Sequence, residues 1–82
     1  MHKPLFLSLL LIPLAACSPI NADNYGKLHT GMSLAEIQGV LGKPSQCTEI
    51  LMIKKCTWGN EQHYISVSFA ADTAMATSAS GL

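Results

Sequence analysis

The chain has 82 residues, five lysines, no arginine, five acidic residues and a formal net charge of zero at neutral pH. That length holds one small domain at most. The charge balance excludes both the basic footprint of a nucleic-acid binder and the polybasic patch that anionic lipid attracts.

Met1-His2-Lys3-Pro4 carries one fixed positive charge, and Leu5 to Leu14 is apolar except for Ser8 and Pro13. Ten such residues cannot cross a hydrocarbon core of ~30 Å, which takes ~20 in a helix. Small residues follow in Leu14-Ala15-Ala16-Cys17. Residues 1–16 therefore read as a signal peptide. The order Leu-Ala-Ala-Cys resembles the bacterial lipobox, in which the cysteine thiol receives a diacylglycerol and the freed amine is usually acylated as well. Cys17 is the expected lipidation site, and its lipid the only expected prosthetic group. At ~0.8 kcal/mol per buried methylene, two or more chains anchor stably without spanning. Ser18 resembles the outer-membrane sorting rule of proteobacterial lipoproteins. The expected location is the periplasmic side of the outer membrane if the host has two membranes, and otherwise an exported, membrane-anchored state.

Removing the leader leaves about 66 residues, too few for a core worth more than ~3–5 kcal/mol without a staple. Residues 17–24 read as the lipidated N-terminus and a polar tether. At ~3.3–3.6 Å per residue, the tether holds the domain within roughly 25 Å of the bilayer. A domain over 25–82 follows. Asp23 or Asn24 is expected to cap one helical turn through Tyr25-Gly26-Lys27-Leu28. Ser33-Leu34-Ala35-Glu36 is a capping box, with Met32 and Ile37 at the staple positions. Leu34, Ile37, Val40 and Leu41 form one apolar stripe, and Gly42 with Pro44 ends it. The helix is predicted at 34–41.

Beyond Pro44 the pattern changes to strands, at 46–50, 54–58 and 64–69. In the third, Ile65, Val67 and Phe69 alternate with Tyr64, Ser66 and Ser68, the period-2 signature of a sheet buried on one side. Gly59-Asn60-Glu61-Gln62 is the turn before it. A two-residue Asn60-Glu61 turn sets Trp58 opposite His63 and Cys56 opposite Ile65. A weak last strand is expected at 74–79, with Met75 its core contact.

In an exported chain, Cys47 and Cys56 read as a structural disulfide. A hairpin turning near Leu51-Met52 sets them directly opposite, within bonding range. Their spacing is neither a C-x-x-C redox motif nor a zinc knuckle, and His29 and His63 offer no local ligand pair. No metal site, paired carboxylates, free Cys/His nucleophile or phosphate loop is apparent, and no enzyme activity or small-molecule substrate is expected. Trp58 reads either as core or as part of a partner surface. Tyr64, Ser66 and Ser68 form the candidate partner face, tyrosine being an efficient interface anchor.

Tyr25-Gly-Lys27-Leu28-His-Thr-Gly31-Met32-Ser33-Leu-Ala-Glu36-Ile37, followed by Leu41-Gly42-Lys-Pro44, resembles the opening of the SmpA/OmlA (BamE-like) small-lipoprotein family. Cys47, Cys56-Thr57-Trp58-Gly59 and Ile65-Ser-Val67-Ser-Phe69 resemble single repeats of the β-lactamase-inhibitor-protein-like family. The resemblance implies an α+β fold, with two short N-terminal helices on one face of a small antiparallel β-sheet of three or four strands. It implies a protein-binding or scaffold module, lipid-anchored in the envelope, with a role in outer-membrane assembly or integrity and an envelope protein as partner. The alternative it implies is a membrane-tethered inhibitor of a periplasmic or extracellular hydrolase.

Overall fold

The computed structural model describes residues 18–82; the predicted signal peptide and Cys17 lie outside the described residues. Two short helices precede a four-stranded antiparallel meander, a small α+β domain. Helix α1 covers Ala22–Tyr25 and helix α2 covers Leu34–Leu41. The strands are β1 (Gln46–Ile50), β2 (Ile53–Gly59), β3 (Tyr64–Ala70) and β4 (Thr73–Ser80), in that spatial order.

The first helical turn starts three residues earlier than expected. Its cap is Asn21, whose Oδ1 accepts the Asn24 N–H at 2.8 Å, and neither Asp23 nor Asn24 serves. Residues 18–24, expected as a tether, are folded onto the domain. Asn21 Nδ2 donates to the Ser18 carbonyl at 2.6 Å and Asn24 Nδ2 to the Pro19 carbonyl at 3.0 Å. Ile20 packs against the core. Short amide side chains bond nearby backbone in this way, and one isoleucine supplies the apolar contact that docks the segment.

Helix α2 forms as its sequence requires. Ser33 Oγ accepts the Glu36 N–H at 3.1 Å, and the Glu36 carboxylate accepts the Ser33 N–H at 2.9 Å, satisfying two end donors reciprocally. The helix stops at Gly42, whose φ of 85° is unfavourable for a side chain. Ile37 and Leu41 are fully covered, while Leu34 and Val40 lie at the margin of the stripe. The loop before α2 pairs with β4: the Gly31 N–H donates to the Ala74 carbonyl at 2.8 Å, and the Ala74 N–H to the Met32 carbonyl at 2.7 Å.

Trp58 stands opposite Ile65 and Cys56 opposite Val67, a slip of two positions from the expected register. The β2–β3 connection is a four-residue loop in which Asn60 Oδ1 accepts the N–H groups of Gln62 and His63, both at 2.9 Å. An even slip leaves every side chain on its expected face. The core therefore keeps Ile65, Val67 and Phe69 with Met32, Ile37 and Leu41, and Trp58, whose sequence context allows either core or partner surface, joins it.

Met75 is a correction. Ser68 pairs with Ala76 and Phe69 with Ala74, so Met75 is the extra residue of a β-bulge and faces outward. Ala74 takes its place in the core at 2% exposure, against 47% for Met75. Alternation alone does not reveal a bulge, because the extra residue resets the period. Among the described residues no helix is long and apolar enough to cross a membrane.

Candidate functional site

Both helices pack on one side of the sheet, against the side chains of Cys56, Trp58, Ile65, Val67 and Phe69. The opposite side carries Gln46, Lys55, Thr57, Tyr64, Ser66 and Ser78, which line an open depression of about 430 Å³ bounded by Asn60 and Glu61 of the β2–β3 loop. The lining of this depression is mostly polar, and among the described residues Tyr64 is its one aromatic side chain.

Tyr64 pairs across the sheet with Gly59 on one flank and Ser80 on the other. Neither neighbour is large enough to cover the ring, which leaves it half-buried. Gly59 cannot be otherwise: its φ is 101°, and a Cβ there would run into the His63 backbone carbonyl. Of the three residues predicted to form this face, Tyr64 and Ser68 meet solvent. Ser66 is buried, with its hydroxyl 3.3 Å from Thr57 Oγ1. The face is thus a tyrosine standing over a floor of small hydroxyl side chains.

Three further side-chain contacts fix the geometry of this surface. Trp58 is in the core, and its indole N–H donates to the Gly42 carbonyl at 2.8 Å, tying the end of α2 to the sheet. Cys47 and Cys56 are directly opposed, with Cα atoms 4.1 Å apart, and are joined by a disulfide. Ser45 was not singled out by its sequence context. Its hydroxyl donates to the Gly59 carbonyl and accepts the Gly59 N–H, both at 3.0 Å, clamping the start of β1 onto the end of β2.

Nδ1 of His29 contacts the Thr30 carbonyl, and Nδ1 of His63 the Gly81 carbonyl. Among the described residues no group of three or more His, Cys, Asp or Glu could hold a metal ion. One exposed feature escaped the pattern of alternation. Ile50, Leu51 and Met52, at the β1–β2 turn, are all solvent-exposed apolar residues. The signal available was the run Ile50-Leu51-Met52-Ile53, four apolar residues continuing straight through a predicted turn.

No family model matches the chain, and no curated protein or solved structure matches it either.

Proposed function

We propose that this protein is an exported, lipid-anchored module that binds another protein of the envelope through the open face of its sheet, as an accessory to outer-membrane assembly or integrity. The observation that carries the reading is the one-sided packing: helices cover one face, and the other leaves Tyr64 half-exposed among small polar residues. Tyrosine gives large contact area at low entropic cost, and small neighbours let a partner approach closely. The lipobox resemblance at Cys17 supports the anchor. The Cys47–Cys56 disulfide supports an oxidising compartment.

The hydrolase-inhibitor reading draws on Glu61, the acid exposed in the β2–β3 loop. That loop lies beside Ser18, since Asn60 and His63 line one depression with it. An anchor at Cys17 therefore keeps the loop close to the bilayer, the wrong end for entering a soluble enzyme's cleft. The scaffold reading is favoured for that reason.

Two experiments test the proposal. Labelling cells with a palmitate analogue should mark the wild-type chain and not Cys17→Ala; label on the variant refutes the anchor. A photoreactive phenylalanine analogue at Tyr64 should yield a discrete adduct with an envelope protein, whereas the same probe at exposed Lys27 should not. Equal capture at both positions, or none at Tyr64, refutes the binding face.

A further inference from the structure

We infer that the β1–β2 hairpin tip, Ile50-Leu51-Met52, is a second docking element: an apolar plug for a socket on a partner protein. The three side chains are 69%, 90% and 84% exposed, so they contribute almost nothing to the core. They are also poorly suited to the turn they form. Leu51 and Met52 have φ of 52° and 71°, the left-handed region at both central positions that two-residue hairpin turns demand and that Asn-Gly supplies without strain. Folding alone thus favours small polar residues at both positions on two independent grounds, solvation and backbone conformation. Strain held by a rigid surround is characteristic of functional segments. The surround here is the Cys47–Cys56 bridge, which braces the hairpin and presents the tip in one shape.

The occupant is argued from where the chain leaves the domain and from charge. Ser18 shares a depression with Gly59, Asn60, His63 and Gly81, at the end of the sheet opposite the tip. The run from Ile53 to Gly59 puts roughly 20 Å between the two ends at ~3.3 Å per residue. With lipid on Cys17, an orientation that rests on the anchor proposed above, the tip points away from the bilayer. Its rim is of mixed sign: Glu49 is paired in register with Lys54, and Asp72 lies on the neighbouring turn. A lipid-inserting tip gathers cations and aromatic residues instead. An apolar centre inside a charged rim is the anatomy of a protein interface. Beside the tip, Met52, Phe69 and Ala71 line a notch of about 300 Å³ with the three charged residues. The notch can receive a partner side chain as the plug enters its socket.

The test compares the full-length lipoprotein with its Leu51→Asn/Met52→Gly variant. The variant should melt several degrees higher, because the turn is relaxed and nothing buried is lost. A photoreactive residue at Met52 in cells should give one heterotypic protein adduct. Excess unlabelled wild-type protein should suppress that adduct, and the variant should compete at least tenfold more weakly. Several outcomes overturn the inference: a lower melting temperature, equal competition, no adduct, or an adduct of twice the chain's mass, which indicates a second copy. So does an adduct of the Met52 probe with phospholipid in place of protein, which indicates a membrane. Capture at Tyr64 without capture at Met52 overturns the tip and leaves the sheet-face reading standing.

Discussion

The disulfide should hold one strand and not the whole domain. All five residues of β1 are exposed, and the strand pairs only with β2. Its backbone hydrogen bonds form at a sheet edge open to water, and no apolar side chain of β1 contributes to the core. The bridge joins Cys47 to fully buried Cys56 across nine positions, closing a loop of about ten residues. In the chain-entropy description such a loop contributes ~2.7 kcal/mol, equivalent to roughly a hundredfold at ~1.36 kcal/mol per decade. The close approach of the cysteines, 4.1 Å between Cα atoms, marks a pair that is not hydrogen-bonded to each other. The amides of Thr48 and Ile50 are therefore among those directed at β2. Reduction should speed exchange at these two amides by about a hundredfold. The amides of Cys56, Val67 and Ile37 should keep their protection, because Trp58, Ile65, Val67 and Phe69 remain packed under α2. Amide hydrogen exchange resolved by residue, with and without reductant, measures this. Uniform loss across all strands would show that the bridge supports the core itself. Unchanged exchange at Thr48 and Ile50 would show that β1 is stable without it. Either result refutes the reasoning.

Trp58→Phe deletes the donor to the Gly42 carbonyl and should cost about 2 kcal/mol or more, a fall of roughly 8–16 °C in melting temperature; a shift under ~4 °C contradicts the role given to that bond. Gly59→Ala puts a Cβ against the His63 backbone at positive φ, and should destabilise the domain by more than ~1 kcal/mol, as thermal denaturation will show. Val67→Ala opens a cavity at a fully buried site and should cost about 2 kcal/mol. Tyr64→Ala should change stability by no more than ~0.5 kcal/mol yet weaken partner capture by more than ~1 kcal/mol. Melting curves and affinities measured on both proteins separate these effects, and the reverse pattern would mean that the two faces of the sheet have been exchanged.

The parts of the fold that were legible are those written in local chemistry. Ser33 and Glu36 announce the start of α2, Gly42 its stop, and the alternation from Tyr64 to Phe69 a sheet covered on one side. The opposition of Cys47 and Cys56 followed from hairpin arithmetic alone. What escaped depends on residues that act out of pattern. Met75 leaves the core because a bulge resets the count, and an Asx turn at Asn60 lengthens the β2–β3 loop by two residues. The docking of residues 18–21 turns on two asparagine amides and one isoleucine. No periodicity records such contacts, and a Ser-Pro-Ile-Asn stretch has the composition of a linker. The open face of the sheet was legible as a face but not in depth: alternation says which way Ser66 points, and only the register sets Thr57 beside it.

The two proposed contact surfaces lie on one side of the molecule. Ile50 pairs with Ile53, and Tyr64 with Gly59. Counting in twos along each strand puts Ile50, Thr57 and Tyr64 on the same face. From Tyr64 to Ala70, the β3 partner of Ile53, is roughly 20 Å at ~3.3 Å per residue. A standard protein–protein interface covers about 800 Å² on each partner, a patch of comparable width. One partner lying along the open face would thus reach from the tyrosine, at the end of the sheet near Ser18, to the hairpin tip at the far end. Along that line the floor is serine, threonine and lysine, which fold stability does not require to be apolar. The helices, the disulfide and the glycine at 59 fix the shape of this face from behind and from its edges. The helices cover one side of the four strands and Tyr64 stands on the other, while the notch beside the hairpin tip, lined by Phe69, Glu49 and Lys54, belongs to the helix side; a substitution at Tyr64 can therefore be read apart from the core, and one at Phe69 cannot.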